Sequence, residues 1–122
     1  VRTFYVASGL ENIAEARRLI ALMQSWGMVC SYDWTVHGPV WMHGAARMRD
    51  VAVKELHGVT NSHVVVVCLP GGRGTHVEMG AALACDVPVV VYDVTGRAAV
   101  VDDTSCAFYH HPRVRARVQT DE

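Results

Sequence analysis

The chain has 122 residues, 51% of them apolar, with a formal net charge of -1. That is long enough for one globular domain with a core of its own, and we read residues 1–122 as a single domain. Near-neutral charge removes the electrostatic case for binding a nucleic-acid polymer, and no apolar run approaches the roughly 20 residues of a membrane-spanning helix.

No secretory leader is legible. The four cysteines, Cys30, Cys68, Cys85 and Cys106, are widely spaced, form no CxxC pair and fall mostly in apolar surroundings, which points to a reducing, cytoplasmic setting.

In chain order, Thr3 to Ala7 (TFYVA) reads as a strand closed by Ser8-Gly9. A helix is expected from about Glu11 to Trp26, with Ala16, Leu19, Ile20, Met23 and Trp26 in one stripe and Gly27 as its stop. Met28 to Tyr32 reads as a second strand, parallel to the first through a right-handed crossover. The run Asp33 to Gly44 (DWTVHGPVWMHG) has two tryptophans, two histidines and no regular period, which marks a functional loop. Trp34 and Trp41 either stack on a flat ligand or staple the loop and fill an oligomer contact.

A second helix is expected from about Ala45 to Val59, with Met48, Ala52, Leu56 and Val59 on its apolar side and Glu55 beside that stripe. Such a carboxyl is a salt-bridged structural acid or one with a raised pKa suited to proton transfer. His63 to Leu69 is a continuous β-branched run ended by Pro70-Gly71-Gly72, the pattern of a strand covered on both faces. Thr75-His76-Val77-Glu78 has the form of a capping box, predicting a helix from about His76 to Cys85 with Glu78 in its first turn. There Glu78 is either a cap or an ionised nucleophile held by the helix dipole. Val87 to Tyr92 is another covered strand, a short strand is expected near Cys106 to Tyr109, and the tail HHPRVRARVQTDE reads as an edge strand or a solvated end.

This alternation predicts a doubly wound α/β fold: a flavodoxin- or Rossmann-like parallel five-stranded sheet of order 2-1-3-4-5 with helices on both faces. The switch point then falls between the first and third strands. It places a ligand crevice between Ser8-Gly9 and the turn of Gly71, Gly72, Arg73, Gly74 and Thr75, where backbone amides are free. The turn lacks the Lys-Ser/Thr of a P-loop and, with Val77 at the third glycine position, fails the dinucleotide fingerprint. His76-x-Glu78 has no Pro-Cys-x-x-Cys after it, His110-His111 has no partner at metal-ligand spacing, and there is no GxSxG elbow. No metal and no cofactor are expected.

FYVAS, YDW, KELHGVTNSHVVVVCLP followed by GRGTHVEMGAAL, and VPVVVY together resemble the nucleoside 2-deoxyribosyltransferase-like family, which includes deoxynucleoside 5′-monophosphate N-hydrolases. The Gly74-x-x-x-Glu78-x-Gly80 element is the most specific part of the match. The resemblance implies that Glu78 is the nucleophile at the anomeric carbon, that Glu55 stands in the place of an assisting aspartate, and that Tyr5 orients the nucleophile. The high apolar content for this length and Trp34 and Trp41 in a loop predict a homo-oligomer, a dimer in the first instance, as the resemblance also implies. His63 stands where an aspartate is common. Glu11 or Asn12 lies in the loop where the monophosphate hydrolases carry a phosphate-binding arginine, so Arg73, which is otherwise a surface charge, and the amides of Gly71, Gly72 and Gly74 are the candidates to replace it.

The residue types suit the same chemistry: an N-glycosidic bond breaks through an oxocarbenium-like state that needs one ionised carboxylate and a second acid nearby. Water as acceptor makes a hydrolase, and a second base makes a transferase. The reading of a different class is a nucleotide-binding or sensing module on the same fold, without turnover.

Overall fold

The structure, a computed structural model, describes residues 2–118. Its strands are β1 (Thr3–Ala7), β2 (Val29–Cys30), β3 (Val64–Leu69), β4 (Val89–Asp93) and β5 (Val114–Val118), and its helices are α1 (Ile13–Ser25), α2 (Ala45–Thr60) and α3 (Arg73–Ala84). The sheet runs β2-β1-β3-β4-β5 with every pair parallel, the expected order. Phe4, Tyr5, Val6 and Ala7 are all buried, as are Val65 through Leu69. Consecutive buried residues on a strand mean that both faces of the sheet are covered, which is why these strands read as unbroken apolar runs.

Ala16, Leu19, Ile20 and Met23 of α1 are buried on one stripe, as expected, but Trp26 is 66% exposed. The helix ends at Ser25 and the chain turns at Gly27 with φ 87°, so Trp26 falls beyond the last turn that faces the sheet. A 3₁₀ turn at Leu10–Asn12 precedes α1, which therefore starts later than the sequence suggests. The second strand is only Val29–Cys30, an edge paired to Thr3 and Phe4.

Two further corrections set the site. In α2 the inward residues are Val51, Gly58 and Val59, with Glu55 half-buried among them, while Met48, Ala52 and Leu56 face outward. A Cβ at Gly58 would stand 2.8 Å from Tyr32 Cβ and 3.2 Å from Tyr5 Cδ1. Gly58 thus fixes which side of α2 lies closest to the sheet, and Glu55, one turn earlier, turns inward with it.

The third helix begins at Arg73 rather than His76, because Thr75 is its third residue and not its N-cap: the Gly72 N–H donates to Thr75 Oγ1 at 3.1 Å. Glu78 is consequently a turn deeper than expected and does no capping. Thr75, Glu78, Met79, Ala82 and Leu83 form the buried side of α3 at helical spacing. Near the C-terminus, the strand expected at Cys106 to Tyr109 is a 3₁₀ turn, Ala107–His110, and the tail supplies the edge strand β5 beside β4.

Candidate active site

A cavity of about 330 Å³ opens between the carboxyl ends of β1 and β3, within the size range of small-molecule sites. Ser8, Gly9, Leu10 and Glu11 form one part of its wall, Trp34, His37, Gly38 and Val40 of the long loop another, and Glu55 of α2 with Gly72, Gly74, Thr75 and Glu78 of α3 the rest. The crevice lies where the strand order reverses, as doubly wound sheets place their ligands.

Polar contacts fix each wall. Ser8 Oγ donates to the Cys68 carbonyl at 2.7 Å, tying the end of β1 to that of β3, and Asn12 Nδ2 donates to Ser8 Oγ at 3.3 Å. Trp34 Nε1–H donates to the Val6 carbonyl at 2.6 Å, and the indole is buried. Trp34 therefore staples the loop and contributes its ring to the cavity wall at once. Asp33 Oδ1 accepts from the Thr35 amide and hydroxyl, and Arg17 Nη2 donates to the Thr35 carbonyl at 2.8 Å, so the loop is held to α1 as well. A Cβ at Gly71 would stand 2.5 Å from Thr75 Cγ2, which explains a glycine there.

Tyr5 and Glu78 meet beneath the cavity: the phenol donates to Glu78 Oε2 at 3.0 Å, and both residues are buried. Burial raises the Glu78 pKa well above the carboxylate range, and the Glu55 carboxyl facing it raises it further, while the Tyr5 hydrogen bond works in the opposite sense. The expectation of a first-turn carboxylate kept ionised by the helix dipole is thus overturned, since Glu78 is in the second turn and dehydrated. Tyr5 is pushed far above the usual phenol value by burial and then by Glu78 and Glu55, so it stays a neutral donor at every accessible pH. Two carboxyls thus face one another in one pocket, the arrangement in which one can serve as acid or base to the other.

Of the residues singled out in the sequence, Ser8, Gly9, Trp34, Glu55, Gly72, Gly74, Thr75 and Glu78 come together here, with Tyr5 directly beneath. Trp41, Gly71 and Arg73 do not line the cavity. Trp41 is 69% exposed, Arg73 lines a shallow depression with His76 and Val77, and Gly71 faces Asp93 and Tyr109. His63 sits at the opposite, amino end of β3, where Nδ1 accepts from the Thr3 amide at 2.9 Å, so its departure from an aspartate does not touch the cavity.

Sequence reasoning did not assign Leu10, His37, Gly38 or Val40 to the wall, although the lack of period in the loop and its His-Gly-Pro turn pointed to that segment. His37 Nδ1 meets the Gly38 carbonyl at 3.1 Å, which only a ring N–H can satisfy. Its Nε2 is buried with no partner among the described residues.

No protein-family model matches the chain, and no curated protein matches it in sequence. A solved structure does: that of a CMP N-glycosidase of Clostridium botulinum, BcmB, aligns with a TM-score of 0.64 over 98% of this chain and 91% of that one, at 14% identity. That likeness shows the fold. In this architecture the cavity, the carboxyl pair and the buried tyrosine occupy the ligand-binding end of the sheet.

Proposed function

We propose that this chain cleaves or transfers at the N-glycosidic bond of a (deoxy)nucleoside or nucleoside 5′-monophosphate, with Glu78 as nucleophile and a glycosyl-enzyme intermediate. The observation that carries it is Glu78 itself, a dehydrated carboxyl at a ligand-sized cavity, hydrogen-bonded by Tyr5 and faced by Glu55. A buried acid with one phenol donor and a second carboxyl is costly to a fold and useful to glycoside chemistry. A CMP N-glycosidase on the same fold supports the reaction class.

Turnover starts from the state in which the pair's proton has passed from Glu78, where burial holds it at rest, to Glu55, leaving Glu78 as the carboxylate. The Glu78 carboxylate attacks the anomeric carbon as the bond to the base nitrogen breaks, and the base leaves with that electron pair and the Glu55 proton. The Glu55 carboxylate then takes a proton from water, whose oxygen displaces Glu78 and completes hydrolysis; a second base in place of water completes transfer. Tyr5 is a positioning residue that stabilises the Glu78 anion and holds its oxygen.

A non-catalytic nucleotide-binding or sensing module is the second reading, and a folded protein that binds nucleosides without releasing base would establish it. We further propose a homodimer, supported by the outward apolar residues Met48, Val53 and Leu56 of α2, and a cytoplasmic setting, supported by four free thiols. Sedimentation equilibrium tests the dimer: a monomer at micromolar concentration refutes it. Incubation with nucleosides and 5′-monophosphates, with and without an acceptor base, tests the activity by the appearance of free base or exchanged product.

A further inference from the structure

The cavity is lined on the wrong side of neutrality for an anion. Its acidic wall residues are Glu11, Glu55 and Glu78, and among the described residues no Lys or Arg lines it. Arg73, the cation expected to meet a phosphate, points to a different surface depression. Of the other polar side chains in the wall, the Ser8 hydroxyl already donates to the Cys68 carbonyl and the His37 ring N–H to the Gly38 carbonyl. Such a surface matches a ligand that brings hydroxyl and amino protons. A phosphate brings only acceptors.

Glu11 is the acid that the carboxyl pair does not explain. It has no hydrogen-bond or ion-pair partner among the described residues, and its carboxylate lies back over Gly9: a Cβ at that position would stand 2.6 Å from Glu11 Oε1 and 2.8 Å from Oε2. Gly9 has φ -87°, which any residue adopts, so what the glycine provides is room for that carboxylate.

We propose that Glu11, seated over Gly9, is a specificity-determining residue that excludes anionic ligands, so that the substrate is a nucleoside with a free 5′-hydroxyl and not its 5′-monophosphate. This rests on the reading of the cavity as an N-glycosidic site. The opposing effect is the amino end of α3, whose first amides and dipole attract anions. Magnitudes decide between them. An exposed helix terminus favours an anion roughly two- to fivefold. One carboxylate about 6 Å away, at an effective dielectric of about 40, disfavours a unit negative charge roughly tenfold, and Glu11 acts together with the charge that the Glu55–Glu78 pair retains.

The test compares each nucleoside with its own 5′-monophosphate, by base release and by calorimetric binding, in the parent protein and in Glu11→Gln, Glu11→Arg and Gly9→Ala. The parent should prefer the nucleoside in kcat/KM by roughly a hundredfold, a preference that shrinks as salt is raised. Glu11→Gln should narrow the ratio about tenfold and Glu11→Arg further, while Gly9→Ala, which displaces the carboxylate without removing it, should narrow it less. A parent that prefers the monophosphate, or a ratio unmoved by Glu11→Arg in a folded protein, overturns the proposal while leaving the N-glycosidic reading intact. If no base is released from any compound, that reading fails and the binding arm decides this one: tighter binding of the nucleoside supports it, whereas equal or tighter binding of the monophosphate, or no binding of either at millimolar concentration, overturns it.

Discussion

Replacing Glu78 by Gln should make the protein more stable at neutral pH, and the gain should depend on pH in a set direction. The folded state holds a proton on Glu78 that the unfolded chain releases in the ordinary carboxyl range, because burial and then Glu55 raise its pKa. Between those two values the folded state binds more protons than the unfolded one, so stability falls as pH rises; below the unfolded value the contribution is complete. The slope for one proton is about 1.4 kcal/mol per pH unit. From pH 5 to pH 7 the parent can therefore lose up to roughly 2.7 kcal/mol that the variant does not, since Glu78 is only 7% exposed and solvent screens little of the penalty. Gln Oε1 can still accept the Tyr5 hydroxyl, so the substitution removes the charge and keeps the hydrogen bond. Urea titrations of both proteins at pH 5, 6 and 7 measure the difference of differences, in which the other titrating groups cancel. Equal pH dependence in the two proteins, or a variant that loses stability relative to the parent as pH rises, would refute the assignment of the proton to Glu78.

Other perturbations follow from the same contacts. Tyr5→Phe leaves a buried Glu78 oxygen without its donor; it should cost about 1–3 kcal/mol and lower turnover by one to two orders of magnitude while far-UV circular dichroism is unchanged. Trp34→Phe orphans the Val6 carbonyl; a loss of about 1–2 kcal/mol in denaturant titration is expected, with weaker ligand binding as the loop loosens. Gly58→Ala must part α2 from Tyr32 and Tyr5; about 1–3 kcal/mol of destabilisation should come with a fall in kcat, because Glu55 is carried on the same helix. Thr75→Ala removes the acceptor of the Gly72 amide; about 1 kcal/mol of stability and only part of the activity should go.

The fold was legible where one physical signal dominated. Runs such as Val64 to Leu69 admit no solvent-facing side, so they fixed the parallel sheet and, with the helical spacers, the strand order. The orientation of α2 was not legible, because Met48, Ala52 and Leu56 form as good a stripe as Val51 and Val59. Only the fit of Gly58 against Tyr5 and Tyr32 decides, and that is a tertiary contact. The start of α3 was misplaced for a related reason: a Thr three residues before a Glu fits a capping box, but the turn is closed earlier by the Gly72 amide on Thr75. The consequence for the site was large, since it moved Glu78 from a solvated cap to a buried position. Arg73 and Trp41 stand in segments that do line the cavity, but residue type does not say which way a side chain leaves its turn. Glu11 was visible as a charge near the first strand, but its position over Gly9 required the 3₁₀ turn that follows.

In the proposed reaction the Glu78 carboxylate forms a bond to the anomeric carbon. This step is tested most directly by acid-quenching the protein during turnover of a nucleoside it cleaves and mapping peptide masses. A pentosyl adduct on Glu78 is expected, appearing with the released base and absent in Glu78→Gln, whose base release falls by several orders of magnitude. Near-normal base release by a folded Glu78→Gln protein, or an adduct on a different residue, would contradict it.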